Sequence, residues 1–150
     1  MGIVIGPLHV RRSIFIQAPA ARVWQEFETE ERLKGWLNLG HTLHQFEPRV
    51  GGRVEMSVEI EGEPRFYGGA VQTYDPAREV TFESQWHPPH DWSVPMFWTI
   101  RLTSLYDGTQ VEIFHHGFER LGAEAADNLQ GYEEGWDIKH LTALRAIVDD

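Results

Sequence analysis

The chain contains no cysteine. That absence excludes disulfide cross-links, thiolate nucleophiles and cysteine-ligated zinc or iron–sulfur centres, and it fits a reducing, cytoplasmic location. Long hydrophobic runs are missing too. The longest apolar stretch lies near Met1 to Leu8, against the roughly 20 residues that a membrane-spanning helix needs, so no membrane insertion is expected. Arg11-Arg12-Ser13-Ile14-Phe15 has the look of a twin-arginine leader, but Gln17 and the charged segment Arg22 to Glu31 stand where an apolar stretch would follow. Gly2 is not set up for myristoylation, since Gly6 occupies the place of the required Ser or Thr. Basic residues are scarce: 13 Lys and Arg face 23 Asp and Glu, giving a net charge of -10. Only Arg11 and Arg12 are adjacent, so there is no basic stripe to hold a phosphate backbone, and nucleic acid is excluded as a partner. Internal repeats, low-complexity tracts and linkers are also lacking.

Catalytic signatures are equally sparse. There is no Gly-x-Ser-x-Gly elbow and no Ser placed by sequence beside a His. Neither Gly51-Gly52 nor Gly68-Gly69 joins a strand to a helix as a phosphate-cradling loop does. Glu133-Glu134 reads as solvated charge on a helix side. No cofactor is implied.

What is present suits one folded domain of 150 residues, with 41% hydrophobic and 12% aromatic residues including six Trp. Leu8 to Gln17 alternates, Val10, Ile14 and Ile16 on one side and Arg11, Ser13 and Gln17 on the other, which predicts a first strand. Ala18-Pro19 changes the period. Val23, Trp24 and Phe27 recur at helical spacing after a Pro suited to a first helical turn. Thr29 is the N-cap expected for a second short helix, with Glu30 and Glu31 at its positive end and Leu33, Trp36 and Leu37 as its apolar side.

After Gly40, strands return, divided by turn signals at Gly51-Gly52, Glu61-Gly62, Asp75-Pro76, Pro88-Pro89 and Asp107-Gly108. In Arg53 to Ile60, Val54, Met56, Val58 and Ile60 alternate with polar residues, so one face is dry and the other wet. Asp107-Gly108 is the strongest hairpin signal, read as the central pair of a type I′ turn between strands near Ser93 to Leu105 and Thr109 to Gly117.

Leu121 to Val148 is expected to be one long helix. Leu121, Ala125, Leu129, Tyr132, Trp136, His140, Ala143 and Ile147 form a stripe, and Leu141, Leu144 and Val148 widen it. Gly131 and Gly135 interrupt it at a propensity cost of about 1 kcal/mol each, which close approach to another element or room for a ligand would justify. The order is therefore strand, two short helices, six strands and a long helix. Six strands joined by short turns make an antiparallel meander whose apolar face needs a cover, and only the last helix is long enough.

Several short segments in this order resemble the activator of heat-shock ATPase homologue-like family of the START-related, pollen-allergen-like (SRPBCC) superfamily. They are Ile14-Phe15-Ile16-Gln17-Ala18-Pro19 with Val23-Trp24, then Trp36, Gly51-Gly52, and Gly68-Gly69 with Val71 before Asp75-Pro76. Further on come Gly108-Thr109, His115-His116-Gly117-Phe118, and Gly135-Trp136 with Leu141 and Leu144. The resemblance runs from about His9 to Leu144. It implies an α+β helix-grip fold, a curved antiparallel sheet of about seven strands around a long C-terminal helix with two short helices after strand 1, and a cavity between sheet and helix. It does not carry one activity, since the superfamily includes lipid carriers, cyclases and aromatases, hormone receptors and co-chaperones. Co-chaperones of the group carry an added N-terminal chaperone-binding domain, whereas few residues precede strand 1 in this sequence.

The implied cavity is expected to be lined from the strands by Met56, Val58, Val71, Phe82, Trp86 and Trp98, with Ile113 and His115 beside them. The helices add Trp36, Tyr132, Trp136 and His140. Trp86, Trp92 and Trp98 flank the His87 to Val94 loop, a concentration that suits a flat or apolar ligand as well as core packing. Strand parity puts His115 with Val111 and Ile113, and His116 with Glu112 and Phe114. His115 is thus either a satisfied core histidine or a polar group in the cavity. His41-x-x-His44 and His87-x-x-His90-Asp91 have no scaffold that makes their imidazoles converge, so no metal is expected. The leading expectation is binding of a small hydrophobic or aromatic molecule, by a monomer or homodimer, without catalysis. The alternatives are a cofactor-independent cyclase or aromatase using His115, His140 or Tyr132, and an interaction module whose cavity is filled by its own side chains.

Overall fold

A computed structural model describes residues 9–87, 94–117 and 138–149 of the chain. The Pro88-Pro89 turn, His90, Asp91 and Trp92, and the portion of the expected helix that holds Gly131, Tyr132, Gly135 and Trp136, lie outside the described residues.

Strand β1 covers His9–Ile16, and its alternation buries Val10, Ile14 and Ile16 while leaving Arg11 and Phe15 outside. The period then changes at Pro19. This residue caps α1 (Ala20–Trp24) from an extended conformation, one step before the first-turn position expected of it. A 3-10 turn over Gln25–Phe27 continues α1. Helix α2 (Glu30–Leu37) starts where the sequence predicts, with the Thr29 side chain accepting from Arg32 N–H at 3.1 Å. Leu33, Trp36 and Leu37 form its buried side.

Six strands follow: β2 His41–Phe46, β3 Arg53–Ile60, β4 Glu63–Asp75, β5 Glu79–Trp86, β6 Met96–Leu105 and β7 Gly108–His116. They form one curled antiparallel sheet in the order β1-β7-β6-β5-β4-β3-β2, a meander with β1 added at the β7 edge. Among the described residues the C-terminal helix, α3, covers Lys139–Asp149 and packs against α2 and β1. This is the expected helix-grip arrangement. Within α3 the deepest line is Leu141, Leu144 and Val148 together with His140, while Ala143 and Ile147 on the neighbouring line are half-buried. Ile147 turns toward α2 instead, its Cδ1 3.8 Å from where a Cβ on Gly35 would stand.

Two hairpins exchange the roles read for them. The type I′ signature, positive φ at both central residues, occurs at Glu61 (54°) and Gly62 (79°). At the β6–β7 hairpin the loop residues are Tyr106 and Asp107, with φ of 55° at Tyr106, and Gly108 already pairs with Leu105 in the ladder. Asp107-Gly108 marks the hairpin but is not its central pair. Close packing explains the glycine, since a Cβ there would meet the Phe15 ring and stand 2.7 Å from Ile16 O. Gly68 meets a similar limit on β4, where a Cβ would collide with the Val54 carbonyl across the ladder.

The core lies between the inner sheet face and the helices and is continuous from Ile14 and Ile16 through Phe82 and Ile100 to Leu141 and Leu144. A charged knot joins the helices behind it. The buried Glu26 carboxylate accepts from Arg22 at 2.8 Å and Arg32 at 3.0 Å. The Glu26 carbonyl accepts from Trp36 Nε1–H at 3.2 Å.

Candidate functional site

Register assembles the inner face from residues far apart in sequence. One row runs Val10, His115, Trp98, Phe82 and Val71 across β1, β7, β6, β5 and β4. A second runs Leu43, Met56, Tyr67 and Trp86 across β2, β3, β4 and β5. Val58 pairs with His41, and Ile113 pairs with Ile100. All eight strand residues expected at the cavity therefore share the inner face. The rings touch along each row, Phe82 to Trp98 and Tyr67 to Trp86 at 4.9 Å between centroids, and Phe46 at the end of β2 meets Phe82 at 5.7 Å.

Exposure divides this face into two parts. Phe82 and Val71 are at most 1% exposed and border no space that water can enter. The accessible part lies toward the β3–β4 turn, where His41, Val58 and Trp86 are half-exposed beside Tyr67. This end is the open one, and it is the candidate site. Trp36 is 0% exposed and edge-on to Phe27 at 5.2 Å, so it belongs to the packed helix layer.

Polar groups punctuate the open end. His41 Nδ1 and the Tyr67 hydroxyl are 2.7 Å apart, and the same hydroxyl is 3.7 Å from Met56 Sδ. Burial lowers the His41 pKa from 6.5 to about 4, helped by His140 and Lys139. Deeper in, burial lowers the His115 pKa to about 3, reinforced by His116 and His41. Both imidazoles are neutral at physiological pH. His140 is buried at the start of α3, with Nδ1 3.3 Å from the Trp36 carbonyl. That carbonyl is in the last turn of α2, where intrahelical donors run out, so His140 ties α3 to α2.

Sequence reasoning passed over His41 and Tyr67 as site residues. His41 was weighed only with His44 for metal binding, and the two are separated by strand geometry. His41 points inward, whereas His44 Nε2 bonds Ser57 Oγ at 2.7 Å on the other face. The alternation of β4 could have flagged Tyr67, but only pairing with β3 and β2 brings it to His41. Among the described residues no three His, Asp or Glu side chains converge as metal ligands would. A groove of about 580 Å³ opens at the far end of the strands between Asp75–Glu79 and Arg101–Ser104. In it the Glu79 carboxylate is already held by Arg101 at 3.1 Å and Thr73 at 3.1 Å.

Solved structures share this architecture. An X-ray structure of a protein from Chromobacterium violaceum is 21% identical, with a TM-score of 0.68, covering 95% of this chain and 97% of that one. The Zhui aromatase/cyclase from Streptomyces sp. R1128 is 20% identical with a TM-score of 0.67, over 96% of this chain and 94% of that one. The Aha1 dimer from Colwellia psychrerythraea is 17% identical with a TM-score of 0.64, over 94% and 96%. At these identities the likeness establishes the fold. No curated protein matches. The family model described as "Activator of Hsp90 ATPase homolog 1-like protein" matches residues 17–149, nearly the whole span of strands and helices described above, and the chain belongs to that family.

Proposed function

We propose that this chain binds a small hydrophobic or aromatic molecule between the sheet and the C-terminal helix, at the open end of the inner face. The carrying observation is the contrast within one aromatic surface: Phe82 is sealed while Trp86 and Val58, on the same face, stay accessible beside Tyr67. Accessible apolar side chains on a concave face with one polar pair among them suit a ligand pocket. In this reading the chain works in the cytoplasm as a single domain, as a monomer or as a homodimer.

Binding ranks ahead of turnover. A cyclase-like enzyme needs a group that exchanges a proton near the working pH. His41 and His115, lowered to about 4 and about 3, are suited to neutral hydrogen bonding instead. Tyr132, Trp136 and His140 stay in the proposal as the helix side of the pocket.

Titration of the protein with Nile red, followed by probe fluorescence and by Trp emission, should saturate. Trp86→Ala should weaken that binding by about tenfold, about 1.4 kcal/mol, the scale of one lost aromatic contact. Native mass spectrometry of freshly purified protein should show an added mass that solvent extraction removes. Failure of Nile red and of chemically varied apolar probes to saturate overturns the binding reading.

A further inference from the structure

The sealed part of the inner face is all contact and no choice, because its rings already satisfy one another. Selection among ligands of similar size must therefore come from polar atoms at the accessible end. The described residues place one such pair there, His41 on edge strand β2 and Tyr67 on β4, held 2.7 Å apart through the intervening strand β3. Two acceptors for the hydroxyl's proton stand out among the described residues, an imidazole nitrogen at 2.7 Å and a thioether sulfur at 3.7 Å. The nitrogen is the stronger acceptor and much the closer, so Tyr67 O–H donates to His41 Nδ1. A neutral imidazole whose Nδ1 accepts carries its proton on Nε2. Among the described residues His41 Nε2 makes no hydrogen bond. The Tyr67 ring is tilted against Trp86 at 4.9 Å and edge-on to the His41 ring at 5.8 Å, so the donor stands beside an aromatic surface.

We propose that the His41–Tyr67 pair is a recognition site for an acceptor oxygen, a carbonyl on an aromatic or conjugated ligand, with His41 Nε2–H as the donor and Tyr67 as the residue that sets its tautomer. The assignment rests on the ligand-binding reading above and adds the ligand's chemical class. A neutral carbonyl oxygen matches a neutral N–H donor, since it accepts the hydrogen bond without an ion having to be stripped of water. Tyr67 acts through His41 and is a positioning residue.

The test compares 2-acetylnaphthalene, 2-ethylnaphthalene and 2-naphthoate, with affinities corrected for each probe's partition between water and octanol. Wild type should favour the acetyl compound over the ethyl compound by about tenfold, the worth of one good hydrogen bond in a desolvated site. His41→Leu and Tyr67→Phe should each bring that ratio toward one, whatever their effect on the absolute affinity for 2-ethylnaphthalene. His41→Gln, which keeps an N–H near the Nε2 position, should retain most of the preference. Long-range 15N–1H correlation spectra of wild-type protein supply a readout that depends on no variant. They should show His41 protonated on Nε2, with that nitrogen shifting on addition of 2-acetylnaphthalene. A proton on Nδ1, an unchanged ratio in both His41→Leu and Tyr67→Phe, or a preference for 2-naphthoate overturns the proposal. If the two neutral naphthalenes bind wild type equally, the pair has no such role and the binding site stands. If neither binds, the binding site itself falls and the proposal with it.

Discussion

His115 and His116 are neighbours in the chain and live in different solvents. His115 looks inward, buried beside Val10 and Trp98, where loss of water holds its imidazole neutral with a pKa near 3. His116 looks outward, with Nε2 2.8 Å from Thr99 Oγ1 and its ring stacked on Phe97 at 5.8 Å. The two faces of the sheet repeat this contrast. Inside, aromatic rings meet one another. Outside, Phe114 lies between the guanidinium groups of Arg11 and Arg101, at 5.4 and 5.3 Å, and Arg11 pairs with Glu112. One peptide unit decides between the two environments, because successive side chains of a strand point to opposite faces. The same residue type thus serves packing or a cross-strand hydrogen bond according to parity alone.

The sharpest way to break this comparison is to remove one ring from each face. Phe82→Ala empties a fully buried site and should cost about 3–5 kcal/mol of unfolding free energy. Phe114→Ala, from the half-exposed outer face, should cost no more than about 1.5 kcal/mol. Urea unfolding of both variants decides the matter, and equal losses would mean that the two faces are not energetically distinct.

A middle-sized effect comes from pH. His41 and His115 have folded pKa values of about 4 and about 3 against 6.5 for a free imidazole. Above about pH 6.5 these two groups are neutral in both the folded and unfolded states and contribute no pH dependence. As the pH falls below that, the unfolded chain takes up their protons first, so stability drops until the folded values are reached. Between pH 7 and 5 the loss should be at most about 4 kcal/mol for the two groups together, at about 1.4 kcal/mol for each tenfold change in proton affinity. Denaturant midpoints measured between pH 7 and 5 should fall, and His115→Gln should flatten that slope. A slope unaltered in both His115→Gln and His41→Gln would show that the inner histidines are not the groups that titrate.

The smallest effect is expected outside. Arg101 makes two hydrogen bonds to Glu79 Oε1, at 3.1 and 3.2 Å, but its side chain is half in water. Arg101→Ala should therefore cost less than about 1 kcal/mol, and the difference should shrink further in high salt. A larger, salt-insensitive loss would place that ion pair in a drier environment than its exposure indicates.

Much of this contrast is legible in the residues themselves. Val54 and Met56 are buried and Arg53 is exposed, as the alternation of β3 leads one to expect, but at the turn end of the strand Ile60 is exposed and on the wet side Ser57 is buried. The parity that separates His115 from His116 needs nothing but counting. Thr29 announces α2 by its own side chain. The eight strand residues expected at the cavity share one face for the same reason. Legibility ends where a property depends on another strand. Phe82 and Trp86 look alike in sequence, yet Phe82 is sealed and Trp86 is not, because burial depends on what lies opposite. His140 sits on the expected apolar side of its helix, but its partner, the Trp36 carbonyl, lies 104 residues away in the chain.

Among the described residues the sequence by itself determined the element order, the inward and outward sides of β1 and β7 and the turn positions to within a residue, because these follow from local periodicity and from the backbone demands of single residues. Tertiary structure alone decided which turn takes two positive φ angles and why Gly108 must lack a side chain. It also decided that His41 meets Tyr67. That contact joins residues 26 apart through the register of three strands, with a bulge between Leu43 and Gln45 that shifts the pairing. Register is set by the sum of many cross-strand contacts, and no short stretch of chain carries that sum.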